Sequence, residues 1–153
     1  MSAAAISDRG AFVLLQVGNR RFALPSGNVV ELAPPVRLHE FPHESKFVAG
    51  VIVRRGRIVP VYDVAPLLTG RSSSLHRFYL IAWLALATGR EASAIPVTGE
   101  CELASAEVFE RNPDDPSYFA GRLALDDGPI DILNFESIVA TGSGKAPAEE
   151  ARS

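Results

Sequence analysis

FVAGVIVRRGRIVPVYDVAPLL, residues 47–68, reads as a β-hairpin followed by a short helix. Val48 to Val53 is an apolar strand rich in β-branched residues, and Arg57 to Tyr62 is a second. Arg54-Arg55-Gly56 turns the chain between them, because Gly56 can take a positive φ without a Cβ clash. Pro60 lies inside the returning strand and cannot donate to a ladder, which predicts an edge or bulge position. Asp63 is placed to cap a helix that runs to Leu68.

The same grammar extends in both directions. Upstream, Ala11 to Val17 and Arg21 to Leu24 are strand formers separated by the turn pair Gly18-Asn19. Pro25-Ser26-Gly27 breaks the second of these. Ser26 or Asn28 could then cap one helical turn through Glu31-Leu32, which Pro34-Pro35 would stop, leaving Val36 to Leu38 free to extend. Downstream, residues 69–76 form a polar connector. Arg77 to Ala87 is a long strand, Thr88-Gly89-Arg90 a turn, and Glu91 to Val97 the return. The unbroken apolarity of Tyr79 to Ala87, Trp83 included, predicts burial on both faces, as in a strand between two barrels. Leu103 to Phe109 carries a weaker pattern, and Asn112 to Ser117 is a loop. Phe119 to Leu125 and Pro129 to Leu133 flank Asp126-Asp127-Gly128 as another hairpin, and Asn134 to Val139 makes a closing helix.

Each half therefore holds several short strands and ends in a short helix. Frequent Gly and Pro between short strands predict barrels rather than a crossover α/β sheet, which would need several longer helices. The expected architecture is all-β with a few short helices. Residues 1–10 are expected to form a flexible arm, 11–140 the folded domain with two intertwined barrel subdomains of about 11–70 and 71–140, and 141–153 a disordered tail.

With 153 residues and 47% apolar content, the chain can bury a full core. The formal charge of −3 gives no electrostatic attraction to nucleic acid or to an anionic membrane. A single cysteine, Cys101, allows no internal disulfide and fits a reducing compartment. Met1 to Gly10 has no apolar signal segment, and the longest apolar run, Phe78 to Ala87, is too short to span a bilayer. A cytoplasmic protein without direct membrane insertion is expected.

No residue pattern signals catalysis. No Gly-x-Ser-x-Gly elbow, phosphate loop or dinucleotide fingerprint occurs. His39, His43 and His76 lack cysteine or acidic partners at zinc-site spacing, so no metal is expected. Cys101 has no evident histidine partner, so a buried or inert thiol is expected. Neither a catalytic residue nor a cofactor is expected. What remains is a binding module. One candidate is a barrel for small ligands or nucleic acid, although that role favours a basic, aromatic-studded face, and most aromatics here lie on apparent core strands.

The order of these segments resembles the CheW-like family. Phe12-Val13-Leu14-Leu15-Gln16-Val17-Gly18, then Phe22-Ala23-Leu24-Pro25, then Asn28-Val29-Val30-Glu31-Leu32 are similar to that family's opening. Gly50-Val51-Ile52-Val53-Arg54-Arg55-Gly56-Arg57-Ile58-Val59-Pro60-Val61-Tyr62-Asp63-Val64 resembles its "GVINLRGRVLPVVDL" stretch. The likeness is weaker in the second half, carried by Tyr118-Phe119-Ala120-Gly121 and Asp131-Ile132-Leu133-Asn134-Phe135. Two departures stand out: Val53 and Arg54 replace the usual Asn and Leu, which makes the turn more basic.

The resemblance implies two SH3-like five-stranded β-barrels side by side. It implies a non-enzymatic adaptor in chemotaxis-type signalling, with two partners. One is the regulatory domain of a CheA-type histidine kinase, and the other the cytoplasmic tip of a methyl-accepting chemoreceptor. On the receptor side it implicates Val29, Glu31, Leu32, Gly50, Arg55 and Gly56. For the kinase, exposed barrel edges including Arg37 and Leu38 are the expected contacts.

Overall fold

The hairpin of residues 48–62 forms as expected, with one further hairpin upstream of it and two downstream. The structure is a computed structural model describing residues 9–40, 47–71 and 78–142. β1 (Arg9–Val17) and β2 (Arg20–Pro25) make the first hairpin, and a 3₁₀ turn at Ser26–Asn28 leads into β3 (Val29–Ala33). β4 (Val48–Arg54) and β5 (Arg57–Tyr62) follow, then α1 (Ala65–Thr69). The second half runs β6 (Phe78–Leu86), β7 (Gly89–Val97), β8 (Glu102–Glu110), β9 (Phe119–Leu125), β10 (Gly128–Leu133) and α2 (Phe135–Gly142).

Local chemistry explains the element ends. The β4–β5 turn has positive φ at both central residues, 54° at Arg55 and 75° at Gly56, the geometry that matches the twist of a two-residue hairpin. Asp63 Oδ1 accepts the Ala65 N–H at 3.2 Å as α1 starts, and Gly70 closes that helix at a φ of 79°. Asn134 Oδ1 accepts the Ser137 N–H at 3.2 Å and caps α2.

The two halves repeat one order: hairpin, single strand, hairpin, helix. Yet neither half makes a barrel from its own strands. A closed barrel runs β9-β10-β2-β1-β8, and the second sheet runs β3-β6-β7-β5-β4. Each sheet takes its first hairpin from one half and its other three strands from the other half. The joints are short parallel pairings, Asp131 with Phe22 and Ile132 with Ala23 in the barrel, and Val61 with Ala94 in the second sheet. The expected division near residue 70 therefore does not follow the sheets. It marks the repeat in the sequence, while the exchanged hairpins decide which strands pair.

The exchange explains the continuous apolar runs. On β1, Phe12 and Leu14 point into the barrel, while Val13, Leu15 and Val17 join a central core between the two sheets. On β6, Tyr79 and Ile81 fill the second sheet's own core, and Leu80, Ala82 and Leu84 face the centre. Both hairpins are thus buried on both faces. The helices plug the same central core through Ala65 and Leu68 of α1 and Phe135 and Ile138 of α2. Burying side chains of this size stabilises the fold by about 1.5–3 kcal/mol each before entropy is subtracted.

Several expectations are corrected. Residues 29–33 form a strand rather than a continued helical turn, because Val29-Val30 is β-branched and β3 pairs with β6. Leu103 to Phe109 lies within β8, paired on both sides in the barrel. Pro60 is not on an edge, since β5 lies between β4 and β7. It stands opposite Val51, whose backbone N–H and C=O bond His39 on the far side, so Pro60's missing donor withdraws nothing from the β4 ladder. β1 begins at Arg9 and α2 reaches Gly142, so the arm and tail expectations shrink at their inner ends. The rest of that arm (1–8) and of that tail (143–153), connector residues 72–76, His43 and His76 lie outside the described residues.

Candidate partner-binding site

The second sheet curls until its two edge strands, β3 and β4, meet. The chain leaving β3 passes Pro34-Pro35 and bridges to β4: the His39 N–H donates to the Val51 carbonyl at 2.8 Å and the Val51 N–H to the His39 carbonyl at 2.9 Å. Above this bridge, side chains close the seam. Glu31 on β3 accepts from Arg54 Nη2 at 2.8 Å and Nε at 3.3 Å. It also accepts from Arg55 Nε at 3.1 Å and Nη2 at 3.3 Å. One carboxylate thus holds two guanidinium forks at the mouth of the second sheet. Their hydrogen bonds and positive charge pull the Glu31 carboxyl down to about 2. Glu31 raises Arg55 in return.

The two arginines differ in exposure. The Arg54 side chain is 24% exposed and serves the seam, whereas that of Arg55 is 73% exposed beside the turn. Arg55 is the one non-glycine residue at positive φ among the described residues. A residue other than Gly, Asn or Asp in that conformation stores backbone strain, a recurring feature of recognition sites.

Beside this cluster a cleft of about 550 Å³ opens between the ends of the β4–β5 and β6–β7 hairpins. Val30, Ile58 and Leu86 give it exposed aliphatic surface, with Ile58 72% exposed. Trp83 lies in its wall, and the Arg90 guanidinium stands over the indole ring at 4.2 Å from the centroid. Arg57 and Glu91 complete the charged lining.

The residues implicated from the sequence separate into three groups. Glu31, Arg55 and Gly56 come together at the mouth. Val29 and Leu32 are half-buried and pack against the central core. A register shift between Val29 and Glu31 turns Val30 outward instead, so Val30 is the surface residue of that pair. Gly50 is buried at a second register shift, where a Cβ would overlap the His39 carbonyl oxygen. It is a close-approach glycine and presents no side chain to a partner. Arg37 is exposed on the connection after β3, and Leu38 packs against the second sheet's core. Arg54, Ile58, Trp83 and Arg90 were not singled out as contacts. Trp83 carried a signal, because it shares the inward phase of Tyr79 and Ile81 at the strand's open end.

The charges on the closed barrel are arranged differently. Arg20 and Arg122 both reach Asp131, Arg122 also reaches Asp115, and Arg21 pairs with Asp127. Cys101 is half-buried, and burial pushes its thiol up to about 11, so it is protonated at neutral pH. Among the described residues no cluster of three or more His, Cys, Asp or Glu could hold a metal ion, and no helix is long and apolar enough to cross a membrane.

Residues 11–143 match the family model for the CheW-like domain. Among solved structures, the chain is similar to the scaffolding protein TtCheW from Thermoanaerobacter tengcongensis. The likeness covers 90% of this chain and 91% of that one, with a TM-score of 0.70 at 17% identity. No match is found among curated proteins.

Proposed function

This chain belongs to the CheW-like family, and from that premise we propose that it is a non-enzymatic adaptor coupling a CheA-type histidine kinase to a chemoreceptor. The kinase contributes its regulatory domain and the receptor its cytoplasmic tip, and the complex works in the cytoplasm. The observation that carries this reading is the mouth of the second sheet, where a strained, exposed Arg55 stands next to exposed Ile58 and Val30.

An adaptor needs surfaces that already hold their bound shape. Here the exchanged hairpins lock the two sheets through one central core, and Glu31 fixes Arg54 and Arg55 before a partner arrives. Little ordering entropy is then left to lose on binding. Arg55 can offer its remaining donors to a carboxylate or backbone carbonyl on the receptor tip. Arg37 and the outer face of its connection are the surface proposed for the kinase.

Co-purification with the kinase regulatory domain and with a receptor cytoplasmic fragment tests this. Both are expected to bind, and Arg55→Ala is expected to weaken receptor capture about tenfold with an unchanged melting curve. Unaltered receptor binding by the folded variant would remove Arg55 from the interface, and failure of both partners to bind would end the adaptor reading.

A further inference from the structure

We propose that Trp83, Arg90 and Arg57 form a recognition site for an acidic amphipathic helix of a partner protein. This rests on reading the second sheet's mouth as a partner-facing surface, and it specifies the chemistry that the surface selects.

Charge is the first argument. The cleft is lined by Arg54, Arg55, Arg57 and Arg90 against Glu31 and Glu91, on a chain whose overall charge is −3. Glu31 is already held by Arg54 and Arg55. The Arg57 side chain has no hydrogen bond or ion pair among the described residues. Among the described residues the Arg90 side chain has only the ring of Trp83 beneath it, and stacking on a ring face leaves the in-plane N–H groups available. The cleft thus concentrates uncommitted guanidinium donors against the sign of the whole molecule, which favours a carboxylate-bearing partner.

Shape is the second. Val30, Ile58 and Leu86 are 44%, 72% and 44% exposed around the indole, so acidic groups alone would leave apolar surface uncovered. The matching ligand carries aliphatic residues beside its carboxylates. β5 and β7 pair only at Val61 and Ala94, so their outer residues, Arg57 to Val59 and Arg90 to Ala92, part and open the cleft between them. Both walls present guanidinium and aliphatic side chains. A helix satisfies its own backbone and presents side chains alone, so it suits a cleft between two hairpin ends.

Trp83 is the only tryptophan of the chain, so its fluorescence reports directly on the cleft. The full chain would be titrated with an amphipathic helical peptide carrying leucines flanked by glutamates. A second peptide would carry lysines at the glutamate positions, and calorimetry would serve as an independent readout. The expected result is a saturable change in Trp83 emission with the acidic peptide only. Binding should weaken about tenfold on Arg57→Glu or Arg90→Glu, and again when salt rises from about 0.05 M to about 0.5 M. An equal response to the lysine peptide, or indifference to both charge reversals in folded variants, overturns the proposal. A concentration-dependent change without peptide, accompanied by dimers in sedimentation, would assign the cleft to a second copy and also overturn it. If the acidic peptide binds while neither kinase domain nor receptor fragment co-purifies, this site stands and the adaptor reading falls. If both co-purify and the acidic peptide gives no response, the site falls alone.

Discussion

At Gly50 the backbone takes a φ of 152°, and the carbonyl of His39 occupies the place where a side chain would start. Gly50→Ala is therefore expected to destabilise the protein by about 2–3 kcal/mol in urea denaturation, since neither backbone can retreat without breaking the His39–Val51 bridge. A loss under about 0.5 kcal/mol would mean that the bridge yields easily. Glu31 gives a pH signature. Its folded pKa of about 2 lies below the ordinary 4.5, so its contribution is complete above about pH 4.5 and disappears as pH falls towards 2. After allowance for solvent screening on the Arg55 side, about 1 kcal/mol should be lost across that window. Glu31→Gln should remove this part of the acid transition, as followed by denaturation at stepped pH. Ser93 is buried, and its hydroxyl has no hydrogen-bond partner among the described residues. Ser93→Ala should raise stability by about 1 kcal/mol, because it relieves a desolvated polar group at little loss of packing.

The β4–β5 hairpin sets local backbone preference against surface chemistry. Its two-residue turn needs positive φ at both centres, which Asn-Gly supplies with less strain than Arg55-Gly56. Arg55→Asn should thus keep or raise the melting temperature while weakening the receptor capture proposed for Arg55 about tenfold. A fall in melting temperature of several degrees would instead make the Glu31–Arg55 pair a structural tie. The turn itself was legible, since Arg-Arg-Gly between two β-branched runs admits few alternatives. The partner of its arginines was not legible. Glu31 lies on a strand 23 residues upstream of Arg54, and only the curl of the sheet brings the two together. β3 was misread for a related reason: Ser26 and Asn28 look like caps, but pairing with β6 outweighs so short a helical signal.

Across the whole molecule, the exchanged hairpins make each half incomplete. Residues 1–71 contain β3, β4 and β5 without the β6–β7 hairpin that completes their sheet, and residues 72–153 contain β8, β9 and β10 without β1 and β2. Each fragment alone would expose faces that the intact chain buries in the central core. Expressed separately, the two fragments should lack a cooperative thermal transition, and mixed or co-expressed they should recover the intact circular dichroism spectrum and co-elute. A cooperative transition in either fragment alone would show that a half can close its own sheet. The same interlocking suits an adaptor, because the two sheets share one core and cannot hinge apart without unfolding both.

Strand-rich composition, hairpin turns, short helices and doubly buried apolar runs were set by the sequence itself, since alternation, β-branching and glycine or asparagine placement act within a few residues. Tertiary structure alone decided which hairpin completes which sheet, which turned the surface outward at Val30 rather than Val29, and which gathered Glu31, Arg54, Trp83 and Arg90 at one mouth. Those outcomes depend on long-range pairing and on register shifts of a single residue. Local propensity carries no information about either, because a one-residue slip reverses the face of every side chain that follows.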